Sequence, residues 1–404
     1  MPAPLDREEL HHFLVKAGTL LHRYGTPSHR LERVMSEVAT AIGVESVFLY
    51  TPTALIVALE SGENERTYLR RVDAGPVDVD KLLRFDETLD DLRNAELTVK
   101  EASRKFDEIA ASPPTYSATF TLLTSAITCG VVAILFRGTT TEVLAATSIG
   151  LVINFLEILH LRFKLEHGFL QPFSGFFASL SALAIAHYIA PIDDRLVTLA
   201  SLIVMIPGLS ITVALTELAV GHLSAGVARL AGSCVSLLTM TIGVALGWRL
   251  AIGWRNLPID PAGQLPTWSH WLAMVVGSLA FAVVFRARWP QWPVIVCVAA
   301  GGYLASYFTR QALGIETGAF CGALAVGIGS NLYARLRERP ALVALTPGLL
   351  VLVPGSIGYR SLTAFLDRQT LAGIDFAFSM VIVAAALVGG ILAANVILPP
   401  KRVL

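Results

Sequence analysis

Ten windows of about 20 mostly apolar residues follow one another between residues 118 and 398, and no other feature restricts the fold of this chain so strongly. A helix needs about 20 apolar residues to cross roughly 30 Å of hydrocarbon, so each window is a candidate membrane span. The windows are Ala118 to Phe136, Thr141 to Leu161, Phe173 to Ile189, Arg195 to Ala219, Ala225 to Leu250, Trp268 to Phe285, Pro290 to Phe308, Ile315 to Ala334, Ala341 to Phe365 and Gly373 to Leu398. Only 15% of the residues are charged, against about a quarter in soluble proteins, and the mean hydropathy is +0.62.

The net charge of zero hides an asymmetry. Residues 1–112 carry 14 Lys and Arg against 20 Asp and Glu, and residues 113–404 carry 17 against 11. A polar N-terminal domain (1–112) is therefore expected to be joined at Pro113-Pro114 to a membrane half. In it, apolar residues at helical spacing from Leu10 to Tyr24 and from Leu31 to Ile42 predict a helical hairpin. Gly25 is expected to close its first helix, Ser28 to cap the second and Gly43 to end it. Short β-rich stretches at 46–50, 54–60 and 67–72, punctuated by Pro52 and Ser61-Gly62, predict a small sheet; helices around Val79 to Leu92 and Leu97 to Ala110 complete an α+β domain. Ser28, His22 and His29 lack a nucleophile-elbow motif and read as caps and solvated surface, and Arg30, Glu32 and Arg33 as a solvated helix face or a docking surface.

Within the membrane half, Ile206-Pro207-Gly208 and Val353-Pro354-Gly355 lie 147 residues apart, and Leu215-Thr216 and Ala225-Gly226 recur at the same offset. Two copies of five spans have opposite orientation, because five is odd. The expected architecture is thus a polytopic α-helical membrane protein with ten transmembrane helices in two inverted five-helix repeats, 113–254 and 255–404, behind the α+β cytosolic domain. With the N-terminus inside, eleven Lys and Arg flank the cytosolic ends of the spans against six outside, so both termini are expected in the cytosol, without a cleavable signal peptide.

A proline inside a span removes a backbone donor and frees the carbonyl four residues before it, which opens polar backbone to a solute. Pro207, Gly208, Ser210, Thr212 and Thr216 in one copy, and Pro354, Gly355 and Tyr359 in the other, are the candidate binding residues, with the deep amides Asn154 and Asn331. Glu217 is the first choice for handling a proton and Glu157 the second, although both lie near predicted span ends, from which they could snorkel to the interface. Cys129, Cys234, Cys297 and Cys321 read as packing residues. No metal ligand set, cofactor motif, phosphate loop or protease signature occurs, so neither an enzyme nor a nucleic-acid partner is expected, and any energy must come from an ion gradient or a partner.

Several of these stretches resemble the threonine/serine exporter family. They are Ala17-Gly18, the run from Tyr24 through Gly25-Thr26-Pro27-Ser28-His29-Arg30 to Met35, Ala41-Ile42-Gly43, Arg71-Val72 with Leu82-Leu83, Pro207-Gly208 with Glu217 and Gly226-Val227-Ala228-Arg229, and Val353-Pro354-Gly355. The resemblance covers nearly the whole chain and departs at Glu217, where the family pattern has aspartate. It implies a proton-coupled secondary transporter of the cell membrane that exports threonine, serine or similar small amino acids. The alternatives are a channel, or a membrane sensor or scaffold whose cytosolic domain is regulatory or hydrolase-like. Homo-oligomerisation is left open.

Overall fold

The computed structural model describes residues 7–60, 65–72, 75–163, 168–254, 265–350, 352 and 355–401. Ser61-Gly62, Val353 and Pro354 lie outside them, as do Lys164, Arg255 and Arg402 among the Lys and Arg counted at the span ends.

The N-terminal region opens with the expected hairpin, α1 (Arg7–Arg23) and α2 (Ser28–Ala41). Gly25 closes α1 at φ +94°, a conformation that costs glycine little, and directs its own N–H to His22 O and that of Thr26 to Leu21 O. Strands β1 (Ser46–Thr51), β2 (Ala54–Leu59) and β3 (Arg66–Arg71) form an antiparallel meander, with Phe48 opposite Val57 and Ile56 opposite Leu69. Phe48, Tyr50, Leu55, Val57 and Leu59 turn inward, whereas β3 is an exposed edge carrying Arg66, Arg70 and Arg71, whose charge opposes edge-to-edge pairing. Helices α3 (Val79–Arg93) and α4 (Val99–Ala111) start from an Asp78 cap on Lys81 N–H and a Thr98–Glu101 capping box. Phe13, Leu21, Met35, Phe85 and Phe106 form the shared core.

Each apolar window holds helix. In the first half these are α5 (Ala118–Leu135), α6 (Thr140–Phe163), α7 (Leu170–Tyr188), α8 (Asp194–Leu202), α9 (Gly208–Ala219) and α10 (Leu223–Leu250). In the second they are α11 (Trp268–Val284), α12 (Trp292–Leu313), α13 (Ile315–Arg337), α14 (Leu342–Leu350), α15 (Gly355–Leu366) and α16 (Thr370–Ile397). The fourth window is split in two at Pro207-Gly208, and the ninth holds α14 and α15. Six segments among the described residues are long and apolar enough to cross a bilayer: Ala118–Leu135, Thr140–Phe163, Leu223–Leu250, Trp289–Leu313, Leu342–Leu366 and Thr370–Ile397. The other four windows fall short for physical reasons. Gln171 and His187 dilute α7, Glu316, Asn331, Arg335 and Arg337 dilute α13, α8 stops after nine residues at the break, and α11 has only 17.

The 147-residue offset extends to element boundaries. Helix α9 starts and ends 147 residues before α15, and α10 does so before α16. Packing follows it: α10 lies on α7 and α16 on α13, at glycines that let backbones touch. A Cβ at Gly243 would sit 1.9 Å from Pro172 O, and one at Gly390, 147 positions later, 2.4 Å from Phe320 O. All four cysteines are free.

Three local readings are corrected. Ser28 is not the cap of α2; the cap position is Pro27, which has no side-chain acceptor, and Ser28 is the first helical residue. Ser28 is buried because the start of α2 is pressed against the membrane half instead of water, and His22 because it packs beside Tyr50 and bonds to Pro52 O. Glu217 does not snorkel; it is fully buried (0%) and paired.

Candidate functional site

Pro27 sits at φ −61° and ψ 145°, so the chain enters α2 extended; its carbonyl accepts from Arg30 and Leu31 N–H, and Ser28 N–H is left without a local acceptor. The acceptor comes from 189 residues away: Ser28 N–H donates to Glu217 Oε1 at 3.0 Å. Glu217 lies near the C-terminus of α9, and Arg229 of α10 grips the same carboxylate, Nε to Oε2 at 2.9 Å and Nη2 to Oε1 at 3.0 Å. A carboxylate at a helix N-terminus is favoured by the helix dipole, and the two-pronged guanidinium contact fixes its plane. One turn further along α2, Glu32 accepts from Tyr50 N–H at 3.1 Å and pairs with His222 Nδ1 at 3.3 Å. The corner between α9 and α10 is thereby clasped by α2.

A second clasp joins the start of α3 to the α11–α12 connection. Val79 N–H donates to Phe285 O at 2.9 Å, Asp78 pairs with Arg286 at 2.9 Å, Asp80 pairs with Arg288, and Tyr116 OH donates to Ala287 O at 2.6 Å. Arg339 pairs with Glu87 of α3 as well. The arginines expected at cytosolic ends of spans therefore meet the acidic N-terminal region directly.

Between these clasps lies a cavity of about 440 Å³, within the size range of small-molecule pockets. Its walls are the start of α2 (Pro27, His29, Arg30, Arg33), α9 (Leu209, Thr212, Thr216), α14 (Leu345, Thr346, Leu349) and the end of α16 (Ile391, Asn395). Leu209 in the first turn of α9 and Leu349 in the last turn of α14 are among its walls. The starts of α9 and α15 touch each other: a Cβ at Gly355 would lie 3.0 Å from Gly208 Cα and 2.7 Å from Ile206 Cγ2.

The polar wall is specific in character. Thr212 and Thr216 donate their hydroxyl protons to Gly208 O (3.2 Å) and Thr212 O (2.9 Å), which leaves their oxygen lone pairs as acceptors. Asn395 Oδ1 accepts from Asn331 Nδ2 at 2.9 Å, so its own amide N–H groups remain available as donors. Burial, with Arg30, His222, Arg33 and Arg229 adding to it, pushes His29 down to about 3, so this ring is neutral at physiological pH. Burial and the neighbouring Arg33 push Arg30 down to about 10, which leaves it charged. Arg30 keeps some accessible surface while protein atoms enclose it, as expected of a side chain facing an internal cavity.

The residues singled out in the sequence divide as follows. Thr212 and Thr216 line the cavity, Gly208 and Gly355 meet each other outside its lining, with Pro207 next to Gly208, and Asn331 donates to the lining residue Asn395. Ser210 turns to α10 and accepts from Ser233 Oγ at 2.8 Å. Asn154 donates to Gly150 O of its own helix at 2.7 Å, Tyr359 is buried in the core around α6 to α10, and Glu157 stays on α6, away from the cavity. Sequence reasoning passed over Thr346 and Asn395, and took His29 for a cap or solvated surface and Arg30 and Arg33 for a solvated helix face or a docking surface. The available signals were the extra Pro347-Gly348 pair after Thr346, a lone Asn in the apolar run of α16, and two arginines three residues apart on one helical face.

Two family models of threonine/serine exporters match the chain, one over residues 12–251 and the other over residues 270–397. Similar curated proteins include pheromone-regulated membrane protein 10 of Eremothecium gossypii, 26% identical over 88% of this chain and 49% of its own length. An uncharacterized protein of Schizosaccharomyces pombe is 25% identical over 85% of this chain and 47% of its own. Pheromone-regulated membrane protein 10 of Yarrowia lipolytica is 26% identical over 89% and 31%. The chain thus spans about half, or less, of the length of these relatives. No solved structure matches it.

Proposed function

Since the chain belongs to the threonine/serine exporter family, we propose that it is a secondary transporter that exports threonine, serine or a similar small amino acid from the cytosol, driven by protons. The observation that carries this reading is the glycine-to-glycine contact of the starts of α9 and α15, 147 residues apart, in a chain whose α9 and α14 also wall a cavity with polar groups. Broken helices at a repeat interface, near the bilayer midplane, are how many transporters present loose backbone groups to a polar solute. The matched boundaries of α9 with α15 and α10 with α16 support two inverted repeats, 113–254 and 255–404, with ten crossings. The pairing of Arg286, Arg288 and Arg339 with the N-terminal region supports a cytosolic location for residues 1–112 and for both termini of the cell-membrane protein.

In this reading Thr212 and Thr216 accept from the ammonium of the solute, while Pro207, Gly208, Pro354 and Gly355 form the hinge on which access alternates. Glu217 is the proton site. A proton there would remove the charge that holds Arg229 and weaken the bond to Ser28 N–H, loosening α2 from the α9–α10 corner. Proton arrival would thus be converted into release of the cytosolic domain. Ser210, Tyr359, Asn154 and Asn331 act through packing and support, and Glu157 is a secondary proton site. The test is exchange of labelled threonine and serine in proteoliposomes: counterflow against either unlabelled amino acid is expected, and none with both would remove the proposal.

A further inference from the structure

Arg30 and Arg33 put two guanidinium groups, one helical turn apart, on a cavity wall that contains no acid. The acids around them are committed elsewhere: Glu217 to Arg229 and Ser28 N–H, Glu32 to His222 and Tyr50 N–H, and Glu37 to Arg93. Among the described residues neither arginine forms an ion pair, and the charge acting on Arg30 is the like charge of Arg33. Enclosed positive charge without a counter-ion is costly, so Arg30, which protein atoms surround, favours an anion, and the exposed Arg33 beside it adds a second guanidinium to the same wall. His29 adds a second, independent sign, because it lines the same cavity and its buried Nδ1 has no hydrogen-bond partner among the described residues. Across the cavity stand the acceptor oxygens of Thr212 and Thr216, while Leu209, Leu345 and Leu349 bound the space between.

We propose that Arg30 and Arg33, supplied by the N-terminal domain, form an anion-binding wall that holds the carboxylate of the transported solute while the threonine hydroxyls of α9 take its ammonium. The N-terminal domain is then half of the binding site. An arginine fork matches a carboxylate in a two-pronged geometry that lysine cannot reproduce. The identity of the solute rests on the exporter reading above; the anion wall does not. The same oxyanion chemistry could be met by an anionic phospholipid headgroup, because Val220 and Val396 at the rim of the cavity are exposed.

The experiment is calorimetric titration of the full-length chain in detergent micelles with threonine, threonine amide, acetate and an anionic phospholipid. Threonine amide keeps the side chain and the ammonium but lacks the carboxylate, so it needs no altered protein to test the wall. Threonine is expected to bind at least about tenfold tighter than the amide. Arg30→Gln and Arg33→Gln are each expected to weaken threonine binding by about tenfold, with Arg30→Lys recovering part of the loss and affinity for the amide unchanged. Equal binding of threonine and its amide, or unchanged binding in both glutamine variants, would overturn the inference. Arg30-dependent binding of acetate without binding of threonine would support the wall and count against the exporter reading. Arg30-dependent binding of phospholipid alone would overturn the assignment to a solute carboxylate.

Discussion

Replacing Glu217 by glutamine leaves an acceptor for Ser28 N–H but strips the charge that Arg229 grips with two nitrogens. Removing one partner of a buried pair costs about 3–5 kcal/mol, because the other charge stays behind unpaired. Arg229 retains 17% of its side-chain surface and can turn partly towards solvent, so Glu217→Gln should lie near about 3 kcal/mol. Glu217 has no such escape at 0%, and Arg229→Gln should lie near about 5 kcal/mol. The double variant abandons no charge, so it should cost less than the sum of the singles by at least about 2 kcal/mol, within the range found for residues in one network. The assay is denaturant unfolding in mixed micelles followed by tryptophan fluorescence, with limited proteolysis reporting whether the 23–28 segment opens. Additivity of the two singles within about 0.5 kcal/mol would refute the view that this carboxylate ties α2 to α10.

The contact between the starts of α9 and α15 makes a second prediction. Gly355→Ala forces a methyl group against the Gly208 backbone and Ile206, and should cost about 1–3 kcal/mol and slow transport, whereas Gly232→Ala, with nothing within 4 Å, should be neutral or gain up to about 1 kcal/mol; equal effects on stability and uptake would contradict the close contact. A third concerns pH. The folded-state value of His29 is depressed from 6.5 to about 3, so below pH 6.5 the unfolded chain binds the extra proton and stability falls as pH falls through that window. At pH 5.5 the loss should be about 1.4 kcal/mol relative to pH 7.5 or above, and His29→Asn should flatten it; an unfolding midpoint independent of pH in the wild type would refute the burial of a neutral ring.

Much of the fold was legible because apolar length and helical period are local properties. Every window from Ala118 to Leu398 holds helix, and the strands begin and end within a residue or two of their expected positions. The break at Pro207-Gly208 was legible because proline and glycine act on their own backbone. The site was legible only in part. Thr212 and Thr216 follow Gly208 on the same helix and could be reached by counting, but Thr346 and Asn395 enter through helices that pack from elsewhere. At the start of α2 Ser28 was misread: Arg30, Glu32 and Arg33 left a solvated face and a docking surface both open, Arg33 is exposed and Glu32 docks on His222, but the group that meets Ser28 N–H, Glu217, lies 189 residues downstream. Polarity in a sequence does not distinguish water from a buried partner.

The measurement closest to the central claim is uptake of labelled threonine and serine into proteoliposomes holding the full chain, with and without an imposed pH gradient. The account predicts accumulation of at least one of them that depends on the gradient, and its collapse when the gradient is dissipated or Glu217 is replaced by glutamine. Flat traces for both amino acids, or accumulation indifferent to the gradient and to Glu217, would contradict it.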